Sequence, residues 1–208
     1  MELNTILITQ ARTGSKRLPG KILNKISGKS LLEIHLERLK KCKMVSNIIV
    51  ATTDKPHDNI IYKKTINLGL NAYRGSENNV LDRFYKAALD YKPDWIVRVT
   101  SDCPLIDPQL VDDIITFTQK QDVDYGSNVL VENYPDGQDV EVFKFSTLET
   151  AWKNANLKSE KEHVTPFIIN NSDFNGGIMF SAVNFPNDYR YSKIRMTVDE
   201  LQDFELMK

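Results

Sequence analysis

Four short strand-like runs, three of them β-branched and apolar, each followed by a stretch with helical spacing, constrain the fold of this chain more than any other feature. Residues 5–10 (TILITQ), 48–52 (IIVAT), 71–73 and 95–100 (WIVRVT) read as strands. Leu31, Leu32, Leu36 and Leu39 share one helical face, with Ser30 as cap and Glu33 completing a capping box. Ile60, Ile61, Ile66 and Leu68 mark a helix over 58–68, and Leu81, Phe84, Ala88 and Leu89 another over 80–91. Asp107 followed by Pro108 starts a helix that reaches about Gln119. Strands alternating with helices of this length build parallel βαβ units, so the expected class is α/β.

After Tyr125 the rhythm weakens. Residues 140–144 (VEVFK) alternate like an exposed strand, 146–155 and 160–170 have helical spacing, and 174–183 suit a hairpin turning at Gly176 and Gly177. No repeat or linker divides the 208 residues, so one domain over 1–208 is expected. No apolar run approaches the ~20 residues a membrane helix needs. The chain enters its first strand directly, without the pattern of a signal peptide. Cys42 and Cys103 form no CxxC pair and fit a reducing cytoplasm, and the three histidines show no zinc spacing.

Charge is unevenly spread. The net charge is -1, which favours no nucleic-acid polymer as partner. Yet residues 3–32 hold no Asp or Glu, and do hold Arg12, Lys16, Arg17, Lys21, Lys25 and Lys29. Gln10 to Lys21 lies where the first strand ends, the end at which open α/β sheets bind ligands. Gly14 and Gly20 permit close backbone approach, and four cations suit a polyphosphate. The segment is neither GxGxxG nor a Walker loop, since Ile22 follows Gly20-Lys21, and Leu23 replaces the first glycine ahead of Gly28-Lys29-Ser30.

A polyphosphate site that does chemistry calls for Mg²⁺ on one or two carboxylates. Asp102 directly follows the fourth strand, and Asp199 follows a strand-like run over 193–198. The same positions also suit simple helix caps. Asp122 and Asp124 form a DxD, a metal motif of many glycosyltransferases, although ordinary solvated loop acids have the same pattern.

Six ordered stretches, QARTGSKRLPGKIL, YRGSENNVLDRFYKAA, VRVTSDCPLIDP, DGQDVEVF, EHVTPFI and RMTVDELQDFEL, together resemble the spore coat polysaccharide biosynthesis protein F family of cytidylyltransferases, relatives of the CMP-sialate and CMP-Kdo synthetases. The resemblance implies a nucleotide-diphospho-sugar transferase (GT-A-like) fold: a mostly parallel, Rossmann-like sheet with one antiparallel strand and helices on both faces. It implies transfer of CMP from CTP to a sugar acid, Kdo-like or nonulosonic, for surface polysaccharide. By matching position, Arg12, Lys16, Arg17 and Lys21 hold the triphosphate, Gln10 and Gly14 also bind the nucleotide, and Asp102 and Asp199 hold Mg²⁺. Arg74 and Ser76 then lie near the cytidine, and Asp139, Glu141 and His163 face the acceptor; His163, Asp139 or a metal-bound water are the alternatives for a base. A homodimer contact is expected within 126–181. The chain departs from the pattern at Ser101, where Gly is usual, and at Leu201-Gln202, where Pro and an acid are usual, which weakens the expected helix start after Asp199. A glycosyltransferase using Asp122 and Asp124, another nucleotidyltransferase, and a non-catalytic nucleotide-binding protein are the alternatives.

Overall fold

The computed structural model describes residues 3–188 and 190–208. Its main sheet contains β1 (Thr5–Gln10), β2 (Asn47–Thr53), β3 (Asn71–Gly75), β4 (Trp95–Thr100), β5 (Tyr125–Ser127), β6 (Glu141–Lys144) and β7 (Ala182–Asn184). They lie in the order β3-β2-β1-β4-β6-β5-β7. Only β6 runs against its neighbours, β4 and β5, while the remaining pairs are parallel. The expected mostly parallel sheet with one reversed strand is therefore what the chain forms.

Side chains of a strand alternate between faces, and β1 shows the result. Ile6 and Ile8 enter a core beneath α3 (Val80–Leu89), while Leu7 enters a second core beneath α1 (Leu31–Leu39) and α4 (Pro108–Gln121). Each layer needs an apolar helix face, which Leu32, Leu36 and Leu39 supply from α1, and Leu81 and Phe84 from α3. The expected caps form. Ser30 Oγ accepts from the Glu33 amide at 3.3 Å while Glu33 accepts from the Ser30 amide at 2.8 Å, and Asp107 accepts from the Gln109 amide at 3.0 Å.

The second half departs from the sequence reading in four places. The strand 140–144 is buried rather than exposed, because β6 is inserted between β4 and β5. The stretch 160–170 is broken into α6 (Lys158–His163) and α7 (Pro166–Asn170), which follow α5 (Phe145–Asn154). At the break, buried Val164 takes φ 72, and the Thr165 amide donates to the His163 carbonyl at 2.9 Å. No hairpin forms over 174–183; a 3-10 turn at Asp173–Asn175 leads instead to β7, which joins the sheet parallel to β5. Residues 193–198 form no strand, and only an isolated bridge links Asp136 with Arg195.

The helix expected to start poorly after Asp199 does form, as α8 (Leu201–Leu206). Asp203 replaces the missing proline's contribution by accepting from the amides of Asp199 and Glu200 at 2.8 and 2.9 Å. Among the described residues, no helix is long and apolar enough to cross a membrane.

Candidate active site

The chain passes from β1 through β2 to β3 on one side, then returns to place β4 on the other side of β1. Open α/β sheets bind ligands at such a reversal, beyond the carboxyl ends of the two strands. Gln10 and Thr100 are register partners there, so the basic loop and the Asp102 turn leave the sheet side by side. Between them opens a cleft of about 670 Å³.

The basic loop is held by its own backbone and by a buried acid. Gly20 sits at φ 69, a left-handed conformation that glycine adopts without steric cost, and its amide donates to the Thr13 carbonyl at 2.9 Å. Asp58, fully buried, accepts from the Thr13 amide at 2.8 Å and the Thr13 hydroxyl at 2.7 Å, and also takes a hydrogen bond from Thr53. The loop is thus fixed before any ligand arrives. Gln10, Arg12, Gly14, Lys16, Arg17 and Lys21 all line the cleft.

The two expected acids meet across 97 residues of sequence. Lys21 Nζ donates to Asp102 Oδ2 at 2.9 Å and to Asp199 Oδ1 at 2.8 Å. Burial pushes the Asp102 carboxyl up, but the Lys21 ammonium outweighs it and holds the group below the ordinary value. Arg195 anchors the chain around Asp199 by pairing with Asp136, Asp199 and Asp203 at 2.6, 3.0 and 2.9 Å. The Val198 amide also donates to the Asp102 carbonyl at 2.8 Å. Two carboxylates converging on one cation are a donor set that fits Mg²⁺. The described residues contain no cluster of three or more acidic, His or Cys side chains for a metal, so water and phosphate would complete its shell.

Of the other expected residues, His163 lines the cleft, on the same helix as Lys158 and Glu162. Arg74 does not line it; its guanidinium donates to the carbonyls of Thr53 and Lys55 at 3.1 and 3.0 Å, binding β3 to its neighbour. Ser76 accepts from the Asn79 amide at 3.1 Å and lines an adjoining hollow of about 390 Å³. Asp139 and Glu141 lie outside the cleft lining. Burial, with the charges of Asp136 and Glu141, lifts the Asp139 carboxyl to about 6. Glu141 is buried against Arg98 and accepts from the Tyr125 hydroxyl at 2.7 Å. Asp122 and Asp124 precede β5, which runs parallel to β4, and therefore sit at the opposite sheet end from Asp102. They pair with Lys144 at 3.1 and 3.5 Å, so this DxD is no part of the cleft.

Besides Asp58, three residues escaped the sequence reading. Arg83 and Arg98 line the cleft, each with a buried Nε that has no partner. Burial and the like charge of Arg12 bring Arg83 down to about 10. An arginine inside the apolar run WIVRVT was the available signal for Arg98; nothing comparable marked Arg83. His35 is the third. It is fully buried on α1, and its Nδ1 must donate to the Cys103 carbonyl at 2.9 Å, leaving Nε2 to accept from the Thr9 hydroxyl at 3.0 Å. It therefore ties β1 to the turn that carries Asp102.

Burial lowers His35 from 6.5 to about 4, so between these values the unfolded chain binds a proton that the folded one refuses. This part of the stability is present above pH 6.5 and is lost as pH falls toward 4, by roughly 3 kcal/mol in all. Asp139 has the opposite slope over part of this window, and does so with or without His35. Urea unfolding of wild type and His35→Gln from pH 7.5 to 4.5 should therefore show a difference that shrinks in acid. A constant difference would contradict a buried neutral imidazole.

The family model described as Cytidylyltransferase matches residues 6–203. The chain belongs to the cytidylyltransferase family. It is an enzyme of the nucleotidyltransferase type. An uncharacterized protein of Methanocaldococcus jannaschii is 45% identical over 204 residues, covering 98% of this chain and 82% of that one. The spore coat polysaccharide biosynthesis protein SpsF of Bacillus subtilis is 36% identical over 212 residues, covering 99% of this chain and 86% of its own. A cytidylyltransferase structure from Leptospira borgpetersenii superposes with a TM-score of 0.89 at 31% identity, covering 100% of this chain and 85% of that one.

Proposed function

We propose that this cytidylyltransferase transfers CMP from CTP to a sugar acid, Kdo-like or nonulosonic, releases pyrophosphate, and serves surface polysaccharide synthesis. The observation that carries the reading is the convergence of Asp102 and Asp199 opposite a preformed basic loop at the switch point of the sheet. Arg12, Lys16, Arg17 and Lys21 bind and orient the triphosphate, with the Gly14 and Gly20 backbone close by. Asp102 and Asp199 would hold Mg²⁺, which when bound supplies Lewis-acid stabilisation of charge on the phosphoryl oxygens. The acceptor hydroxyl attacks the α-phosphorus and the bond to the pyrophosphate oxygen breaks. Fixed cations placed where that charge develops need no reorganisation in the transition state.

Lys158 supplies positive charge in the same cleft for the acceptor carboxylate. His163 lines the cleft and takes the proton of the attacking hydroxyl, a role for which it is better placed than Asp139. Coupled pyrophosphate release, with CTP, UTP, GTP and UDP-sugars tested against a panel of Kdo-like and nonulosonic acids, checks the reading. Mg²⁺-dependent release with CTP and one of these acids is expected. Turnover of a UDP-sugar, or release with no acid present, would overturn it.

Within 126–181, Phe174, Ile178 and Met179 are exposed, Ile178 completely. This exposure supports the homodimer, in which a second copy would cover them. Sedimentation at micromolar concentration should give the dimer mass, and Ile178→Asp should shift it to monomer; a wild-type monomer would refute the contact.

A further inference from the structure

The ammonium of Lys21 occupies the position in which the proposed function needs a divalent cation. It touches one oxygen from each of Asp102 and Asp199, and its side chain is only 10% exposed. Among the described residues no other cation reaches both acids: Arg17 and Arg195 pair with Asp199 alone of the two, through Oδ2. A buried ammonium between two carboxylates is bound far more strongly than a surface pair, because water screens it little. A metal entering at these oxygens must displace it.

The carboxylates do not depend on Lys21 for their closeness. The Val198 amide and the Thr197 hydroxyl donate to the Asp102 carbonyl at 2.8 and 3.3 Å, so bonds that do not involve Lys21 join the two segments. Arg195 fixes the far oxygen of Asp199. Lys21 is therefore a counter-ion for an acid pair assembled by other means. The loop that carries it also presents Arg12 and Lys16 to the cleft, and a triphosphate bound there offers Lys21 new partners of higher negative charge.

We infer that Lys21 is an internal surrogate for the divalent ion, which excludes free metal from Asp102 and Asp199 until nucleotide phosphates draw the ammonium away. The inference rests on the proposed metal role of these two acids. It makes metal and nucleotide binding mutually reinforcing, because each ligand favours the state in which Lys21 has left the acid pair. The device discourages the free enzyme from binding metal without its substrate.

The test reads metal binding and not turnover. Mn²⁺ affinity is measured by the EPR signal of the free ion, with no nucleotide, for wild type, Lys21→Met, Lys21→Gln and the double variant Lys21→Met/Asp102→Asn. Lys21→Gln keeps polarity and bulk should the methionine variant fold poorly. Both single variants should bind Mn²⁺ at least ~10-fold more tightly than wild type, and the double variant should lose the gain. Unchanged or weaker binding in both single variants would overturn the surrogate role. If Asp102→Asn nevertheless abolishes Mn²⁺ binding to the wild-type enzyme with CTP, the metal role of the acids survives. Binding that ignores Asp102→Asn in every state overturns both.

Discussion

Asp102→Asn should lower turnover at least ~100-fold, with kcat and kcat/KM falling together, while the far-ultraviolet dichroism stays that of the wild type. Asparagine keeps the shape and one oxygen but removes the charge. The turn that carries it is fixed by other atoms, with His35 on the Cys103 carbonyl and Val198 on the Asp102 carbonyl. Lys21 keeps its second partner, Asp199. The loss therefore falls on the reaction and not on the fold. Steady-state pyrophosphate release at saturating CTP is the measurement, and wild-type turnover in the variant would remove Asp102 from the site.

The largest expected effect on stability lies one strand position behind the cleft. Glu141 is buried on the reversed strand β6, and its carboxylate depends on the Arg98 guanidinium from β4, with the Tyr125 hydroxyl as second partner. Arg98→Met should cost about 3–5 kcal/mol, because it leaves a buried carboxylate without its counter-charge. Arg98→Met/Glu141→Gln should recover a large part of this, since the second change removes the stranded charge. Urea midpoints of the four proteins of this cycle give the coupling directly. An Arg98→Met midpoint close to wild type would mean that water already reaches Glu141.

The parts of the fold that were legible in the sequence are those governed by nearest neighbours. The alternation around β1 to β4, the Ser30–Glu33 box and the Asp107 cap depend on residues three or four apart, so their pattern is complete within each segment. The reversed β6 was misread as exposed because β4 and β5 pair with both its edges and α4 and α5 pack on its faces, all from outside its own sequence. The split at Val164 was missed because a β-branched residue at positive φ runs against its own preference. For the site, an acid-free cationic loop and two aspartates at strand ends were visible as chemistry. Arg83, His35 and Asp58 were not, since each owes its role to a partner from another element: Arg12 or Ser76, Cys103, and Thr13.

The bond from Lys21 to Asp199 spans 178 positions. Closing so long a loop is among the last rewards of folding, since local helices and the β1–β2 pairing require far smaller loops. A chain still emerging from the ribosome therefore carries its cationic loop complete and its second aspartate missing. The acid pair, on this geometry, is assembled only once the segment carrying Asp199 has been made and has joined the Asp102 turn.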